Sequence, residues 1–226
     1  MKIVVLTGAG ISAESGLRTF RDGDGLWNTY KMEELATPEA WHANPSLVLD
    51  FYNWRRKQLY EVKPNPAHHS LAKLEEKFDV QIITQNVDDL HERAGSLGVM
   101  HLHGELKKVR STKNPDLVYT LEGWELKIGD VCEEGSQLRP HIVWFGESVP
   151  AFSEAVEFAR DAELFIVIGT SLKVYPAASL LQFVPSGCPK YLIDPNSDPG
   201  YFVQNLNVIR KTAMEGVPEL VRELLQ

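Results

Sequence analysis

The chain has 226 residues, of which 43% are hydrophobic and 24% charged, close to the average soluble globular protein and unlike a disordered or fibrous one. Acidic residues outnumber basic ones 31 to 23, and the formal net charge of -8 gives no field that would draw a phosphate backbone, which argues against nucleic acid as a ligand. Two cysteines are too few for a disulfide framework and fit a reducing cytoplasm, and no apolar run approaches the ~18 residues of a membrane span, so a soluble cytoplasmic protein without a membrane partner is expected.

The first predicted element is Ile3 to Leu6, four apolar residues ahead of a glycine, which reads as a buried strand rather than a signal segment. Similar runs recur at Val80 to Thr84 and Leu164 to Ile168, with shorter candidates at Tyr191 to Ile193 and Val208-Ile209. Continuous apolar character is what strands covered on both faces require, so these runs predict a parallel sheet. Helix-compatible stretches lie between them at Pro66 to Phe78, Ser153 to Ala162, Pro176 to Phe183 and Pro218 to Leu225. The alternation predicts an α/β, doubly wound fold. Two segments break it: the aromatic, helical stretch 26–60, and the mixed, aperiodic stretch 107–139. These are expected to form a smaller domain inserted into a larger one made of 1–25, 61–106 and 140–226.

Ligand-ready residues follow three of the predicted strands. After the first strand, Gly8, Ala9 and Gly10 let the backbone approach a pyrophosphate at a helix N-terminus, although a Gly-x-Gly-x-x-Gly fingerprint would need glycine where Ala13 stands. A tight strand-to-helix turn would use the same residues. The second strand runs into Gln85, Asn86, Val87 and Asp88, of which one polar residue could be a helix cap but the cluster favours a site. His101 and His103 would share a face in an extended segment, and either could be a structural histidine, a general base, or a metal ligand completed by His68, His69 or His91. Gly169, Thr170 and Ser171 close the third strand with small hydrogen-bonding residues suited to ribose or phosphate.

Taken in order, Gly8-Ala9-Gly10-Ile11-Ser12, Phe20-Arg21, Thr84 to Asp88, His101-Leu102-His103-Gly104, Val143-Trp144-Phe145-Gly146-Glu147 and Gly169-Thr170-Ser171 resemble the motif set of the sirtuins over nearly the whole chain. The resemblance implies a Rossmann-like large domain, a small domain in the two insertions, and an NAD-consuming protein deacylase acting on acylated lysine. It implies that NAD contacts Gly8, Ala9, Gly10, Phe20, Arg21, Trp27, Gln85, Asn86, Val87, Asp88, Gly169, Thr170, Ser171, Asp194, Asn196 and Ala213. His103 would be the base, with Asn86 and Asp88 holding the ribose and carboxamide, and Val143 to Glu147 would take the substrate peptide as an added strand. In the implied reaction the acyl oxygen attacks C1′ of the nicotinamide ribose and expels nicotinamide, and the lysine is finally released as the free amine. His103 then activates the ribose diol, and the acyl group leaves as O-acyl-ADP-ribose.

The chain departs from the sirtuin pattern where two Cys-x-x-Cys pairs usually bind zinc, for 107–139 holds Cys132 alone, so no metal is expected. Val118, Tyr119, Leu121, Trp124, Leu126 and Ile128 are then the apolar residues available to hold that segment. Asp194 stands where sirtuins usually have asparagine. Within the first insertion, Tyr52 and Arg55 resemble the Tyr-x-x-Arg of desuccinylating and demalonylating sirtuins, as do Thr19 and Ala13-Glu14-Ser15-Gly16, which implies a substrate acyl chain ending in a carboxylate. Two other readings remain open: transfer of ADP-ribose to protein or water, and a non-catalytic module that binds NAD or ADP-ribose.

Overall fold

The computed structural model describes residues 1–19, 31–170, 172, 174–196 and 203–226. In chain order its strands are β1 (Lys2–Thr7), β2 (Asp79–Thr84), β3 (Val99–His101), β4 (Gly104–Ser111), β5 (Val118–Thr120), β6 (Leu138–Ile142), β7 (Leu164–Ile168), β8 (Lys190–Ile193) and β9 (Leu206–Ile209). The helices are α1 (Gly10–Ala13), α2 (Met32–Leu35), α3 (Pro38–Ala43), α4 (Pro45–Glu61), α5 (Pro66–Leu74), α6 (Leu90–Ala94), α7 (Phe152–Arg160) and α8 (Ala213–Leu225), with a 3₁₀ turn at Ala177–Gln182.

Six strands form one parallel sheet in the order β3-β2-β1-β7-β8-β9. The continuous apolar runs are explained by the period of two. Ile3 and Val5 pack with Leu71, Leu74, Val217 and Leu220 of α5 and α8, while Val4 and Leu6 pack on the other face with Ala155 and Ala159 of α7 and with Leu180. The register pairs Thr7 with both Thr84 and Ile168, so β1, β2 and β7 end at one level and their outgoing loops emerge side by side. An open α/β sheet binds ligands at that edge, where chain order reverses about its first strand.

Local chemistry fixes the helix starts. Asn44 caps α4 by accepting from Leu47 N–H at 3.1 Å, and Asn65 with His68 forms a reciprocal cap on α5, each followed by proline at the first helical position. The last helix departs from expectation, since α8 begins at Ala213 and carries Pro218 inside it. Its buried stripe of Ala213, Val217, Leu220 and Val221 against the sheet outweighs the lost backbone bond. The stretch expected as a helix from Pro176 is the shorter 3₁₀ turn.

The small antiparallel sheet has the order β5-β4-β6 and shares a core with the first insertion, in which Leu106, Val109, Leu126 and Ile142 meet Trp41, Phe51, Tyr52 and Leu59. Of the six apolar residues expected to hold 107–139, Leu126 is buried and Tyr119 and Leu121 pack partly, whereas Val118, Trp124 and Ile128 are exposed. Polar clamps from α4 take their place. Arg56 Nε and Nη1 donate to the carbonyls of Leu106 (2.7 Å) and Trp124 (2.8 Å), and Asn53 bonds both the carbonyl and the N–H of Leu126 at 2.9 Å. These bonds go to backbone, so they do not depend on side chains at 118, 124 or 128.

Cys132 is buried and its thiol lies 3.4 Å from Ser111 Oγ; among the described residues no three His, Cys, Asp or Glu side chains converge as a metal site would require. Dialysis against a strong chelator is expected to leave the thermal midpoint unchanged. A fall of several degrees, about 1 kcal/mol or more, together with released zinc, would show that the segment depends on metal. No helix among the described residues is long and apolar enough to cross a membrane.

Candidate active site

A cleft of about 1070 Å³ opens at the carboxyl edge of the large sheet and runs to α4 and the small sheet. Its floor is the turn after β1. A Cβ on Gly10 would stand 2.6 Å from the Gly169 Cα, and Gly169 itself adopts a φ of +60°, so the two loops touch backbone to backbone and only glycine fits. The missing third glycine of the fingerprint is accounted for by length, because α1 is a single turn that stops at Ala13.

Polar groups from the β2 end are locked to this floor. Gln85 N–H donates to the Thr7 carbonyl at 2.9 Å and its side-chain amide to Thr170 Oγ1 at 3.2 Å. The Asn86 side chain donates to the Gly8 carbonyl (3.2 Å) and to Ser12 Oγ (3.1 Å), and Ser12 donates in turn to Asp88 Oδ2 at 3.0 Å. Asp88 lies off the cleft wall, beneath Asn86. Burial raises its carboxyl above the usual range, opposed by the bonds from Leu90 N–H and Ser12. Ser12 thus joins Asn86 to Asp88. It stood in the glycine-rich run, but nothing in the sequence marked it as the bridge.

His103 sets one ring nitrogen, Nδ1, 3.0 Å from the Gln85 carbonyl. A carbonyl only accepts, so Nδ1 carries the proton and Nε2 keeps its lone pair. Burial lowers the His103 pKa from its ordinary value, with the Gln85 bond partly opposing, so the ring is neutral at cellular pH. A half-buried neutral imidazole on a cleft wall has the chemistry of a general base. His68 and His91 sit in the core instead, their rings 5.0 Å apart, which removes them as metal partners of the His101 pair.

Tyr52 and Arg55 both lie on α4, both are buried, and both line the same cleft. Trp144 Nε1 donates to the Tyr52 hydroxyl at 3.1 Å, so the phenolic proton must point to another acceptor. Arg55 has its pKa lowered by burial, opposed by the charge of Asp88 and by Tyr52.

The segment Val143 to Glu147 lines the cleft but is not a free strand edge. Val143 N–H donates to the His103 carbonyl, Trp144 N–H to Glu147 Oε2, Phe145 N–H to the Ala36 carbonyl and Glu147 N–H to the Trp144 carbonyl. Four of its five N–H groups are therefore engaged within the chain, because the chain turns at 144–147 instead of continuing β6. Arg139 fixes that turn by pairing with Glu147 at 2.6 Å and stacking 3.3 Å from the Trp144 ring centroid.

Of the other residues the sequence singled out, Ala9, Gly10, Val87, Thr170, Asp194 and Asn196 line the cleft. Gly8 backs it, and a Cβ there would meet Thr170 Cβ at 2.7 Å. Ala213 is buried at the start of α8, away from the cleft lining. Phe20, Arg21, Trp27 and Ser171 lie outside the described residues. Thr19, Met32, Phe51 and Leu106 complete the wall near Tyr52 and Arg55; of these only Thr19 carried a signal, by its place before Phe20.

The comparisons agree with this geometry. Residues 8–176 match the Sir2 family. The chain is 55% identical to an NAD-dependent protein deacylase of Bacteroides thetaiotaomicron, covering 99% of this chain and 97% of that protein. It is 53% identical to an NAD-dependent protein deacylase of Helicobacter pylori, again over 99% and 97%. The crystal structure of a Sir2 homologue with NAD superimposes with a TM-score of 0.89 at 44% identity, over 99% of this chain and 89% of that one. With the strand-end loops, the paired cores and the cleft between them all in place, the chain belongs to the Sir2 family.

Proposed function

We propose that this enzyme removes acyl groups from protein lysines at the expense of NAD, and that it prefers succinyl or malonyl groups to acetyl. NAD supplies the nicotinamide ribose to which the acyl group is passed. On the protein side, the Gly8 to Gly10 turn with Gly169 and Thr170 would hold the phosphates and ribose, a fit supported by the backbone contact at Gly10 and by the aligned ends of β1, β2 and β7. Asn86, fixed at its amide by Gly8 and Ser12, would orient the reacting ribose. His103 Nε2 would take the proton of the ribose hydroxyl that attacks the acyl carbon. The acyl-lysine would enter along the carbonyl side of Val143 to Glu147, since its N–H groups are mostly engaged. The division into a nucleotide-binding unit, 1–25, 61–106 and 140–226, and a small unit, 26–60 with 107–139, belongs to the same proposal, supported by the clusters on the two faces of the large sheet and by a third around Trp41, Tyr52, Val109 and Leu126 that also takes in Leu17, Leu90 and Trp144.

The acyl preference is carried by one observation: Tyr52 and Arg55 are buried yet face the cleft that holds His103. A buried guanidinium beside a tyrosine whose hydroxyl already accepts from Trp144 presents donors only, and a carboxylate is an acceptor only. An acetyl group carries no charge to complement theirs. Incubation with NAD and acetyl-, succinyl- and malonyl-lysine peptides, read by mass spectrometry, is expected to give O-acyl-ADP-ribose and faster turnover of the acidic acyl groups at low peptide concentration. A faster acetyl reaction would refute the preference, and ADP-ribose on protein or water alone would refute deacylation.

A further inference from the structure

Three groups return from the end of β3 to the end of β2. Leu102 N–H donates to the Thr84 carbonyl (2.9 Å), the His103 ring to the Gln85 carbonyl (3.0 Å), and His101 Nδ1 to the Asn86 carbonyl (3.0 Å). Three consecutive carbonyls at the end of β2 are thereby fixed. His101 differs from His103 at its second nitrogen, for His101 Nε2 lies 2.7 Å from Glu92 Oε1 on α6. Carbonyl and carboxylate oxygens only accept, so both bonds can exist together only if both ring nitrogens carry protons. Burial would raise the Glu92 carboxyl, but the His101 bond and charge, with Lys108, bring it below its ordinary value, so the proton resides on His101.

We propose that His101, as an imidazolium bridging Glu92 and the Asn86 carbonyl, is a positioning residue that holds Asn86 in the cleft, and that its loss of a proton sets the alkaline limit of activity. The Asn86 side chain is fixed from β1 and α1, while its backbone is fixed by Thr84 Oγ1, which accepts the Asn86 N–H at 3.0 Å, and by His101. A neutral His101 has one N–H for two acceptors. The carboxylate is the stronger acceptor, so the Asn86 carbonyl is the one released.

The charged and titratable groups facing His101 are Glu92 and His91 on α6, Glu105 on β4, and Asp88 in the loop between β2 and α6. Burial lowers the His101 pKa, but the Glu92 bond and charge, the Asn86 carbonyl and Glu105 outweigh it, and the net direction is upward. His103 moves the other way. Activity then needs His103 without its second proton and His101 with it, giving a bell whose acid limb belongs to His103 and whose alkaline limb belongs to His101.

This rests on the deacylase reading but not on the acyl preference, and two measurements separate its failure from that of the reading. The first is an NMR titration of the His101 ring nitrogens in the free protein, which needs no turnover. It should show both protonated at pH 7, with loss of one above the ordinary histidine range. The second is kcat/KM for NAD against pH. Glu92→Gln, at a side chain 39% exposed, should move the alkaline limb down by about one pH unit. His101→Gln, whose amide can still donate to Asn86 without titrating, should abolish that limb and keep the acid one. A neutral His101 at pH 7, or an alkaline limb unmoved in both variants, overturns the proposal.

Discussion

His103→Ala is expected to lose deacylation by about 10²- to 10⁴-fold while NAD binding persists, because the variant deletes the proton acceptor and leaves the nucleotide contacts standing. The Gln85 carbonyl fixes Nδ1–H and so leaves Nε2 as the only base in the ring. Gln85 itself remains tied to Thr7 and Thr170, and Asn86 to Gly8 and Ser12, without help from the His103 side chain. The acid limb of the wild-type profile has a definite sign. Burial depresses the His103 pKa, so turnover should rise with pH through a midpoint below the ordinary histidine value and be flat above it until the alkaline limb begins. Single-turnover rates with saturating peptide, and NAD affinity by calorimetry, make the check. Near wild-type turnover in His103→Ala would remove the residue from the chemistry.

Arg55→Met should cost desuccinylation about 10²-fold or more and deacetylation far less. A buried carboxylate deprived of its cationic partner loses about 3–5 kcal/mol, and about 1.4 kcal/mol corresponds to a factor of ten. Methionine keeps much of the side-chain volume at a position that is 5% exposed, so α4 should retain its packing. Asp88 also loses a nearby positive charge, which will lower both activities somewhat, and the ratio of the two kcat/KM values is therefore the measured quantity. Tyr52→Phe provides the graded companion, removing one neutral donor and sparing the charge, with a smaller change in the same ratio. An equal loss of both activities in Arg55→Met would place the arginine in general architecture.

Much of the site was legible because its residues follow short, buried strands. Apolar runs at 3–6, 80–84 and 164–168 announce the strands, and the residues after them are small or polar in a way no core requires. The histidines were harder. His-x-His suggested a shared face, whereas the structure distributes the two rings onto successive carbonyls, one with a carboxylate behind it and one without. Glu92 is nine residues from His101 in sequence and on a different element, so no local pattern could have paired them.

By itself the sequence determined the parallel sheet and the positions of the strand-end loops, since these follow from periodicity, composition and turn chemistry that act over a few residues. Tertiary structure alone decided which side chains meet. The register of β1 against β2 and β7 brings Thr7, Thr84 and Ile168 level and so assembles one cleft from three distant loops. It also decided that Asp88 sits beneath Asn86, that Val143 to Glu147 turns away from strand geometry, and that Arg56 and Asn53 hold the small sheet by its backbone. The physical reason is the same in each case: burial and a partner's acceptor or donor character depend on groups that different elements bring together, and those fix protonation and orientation where local sequence cannot.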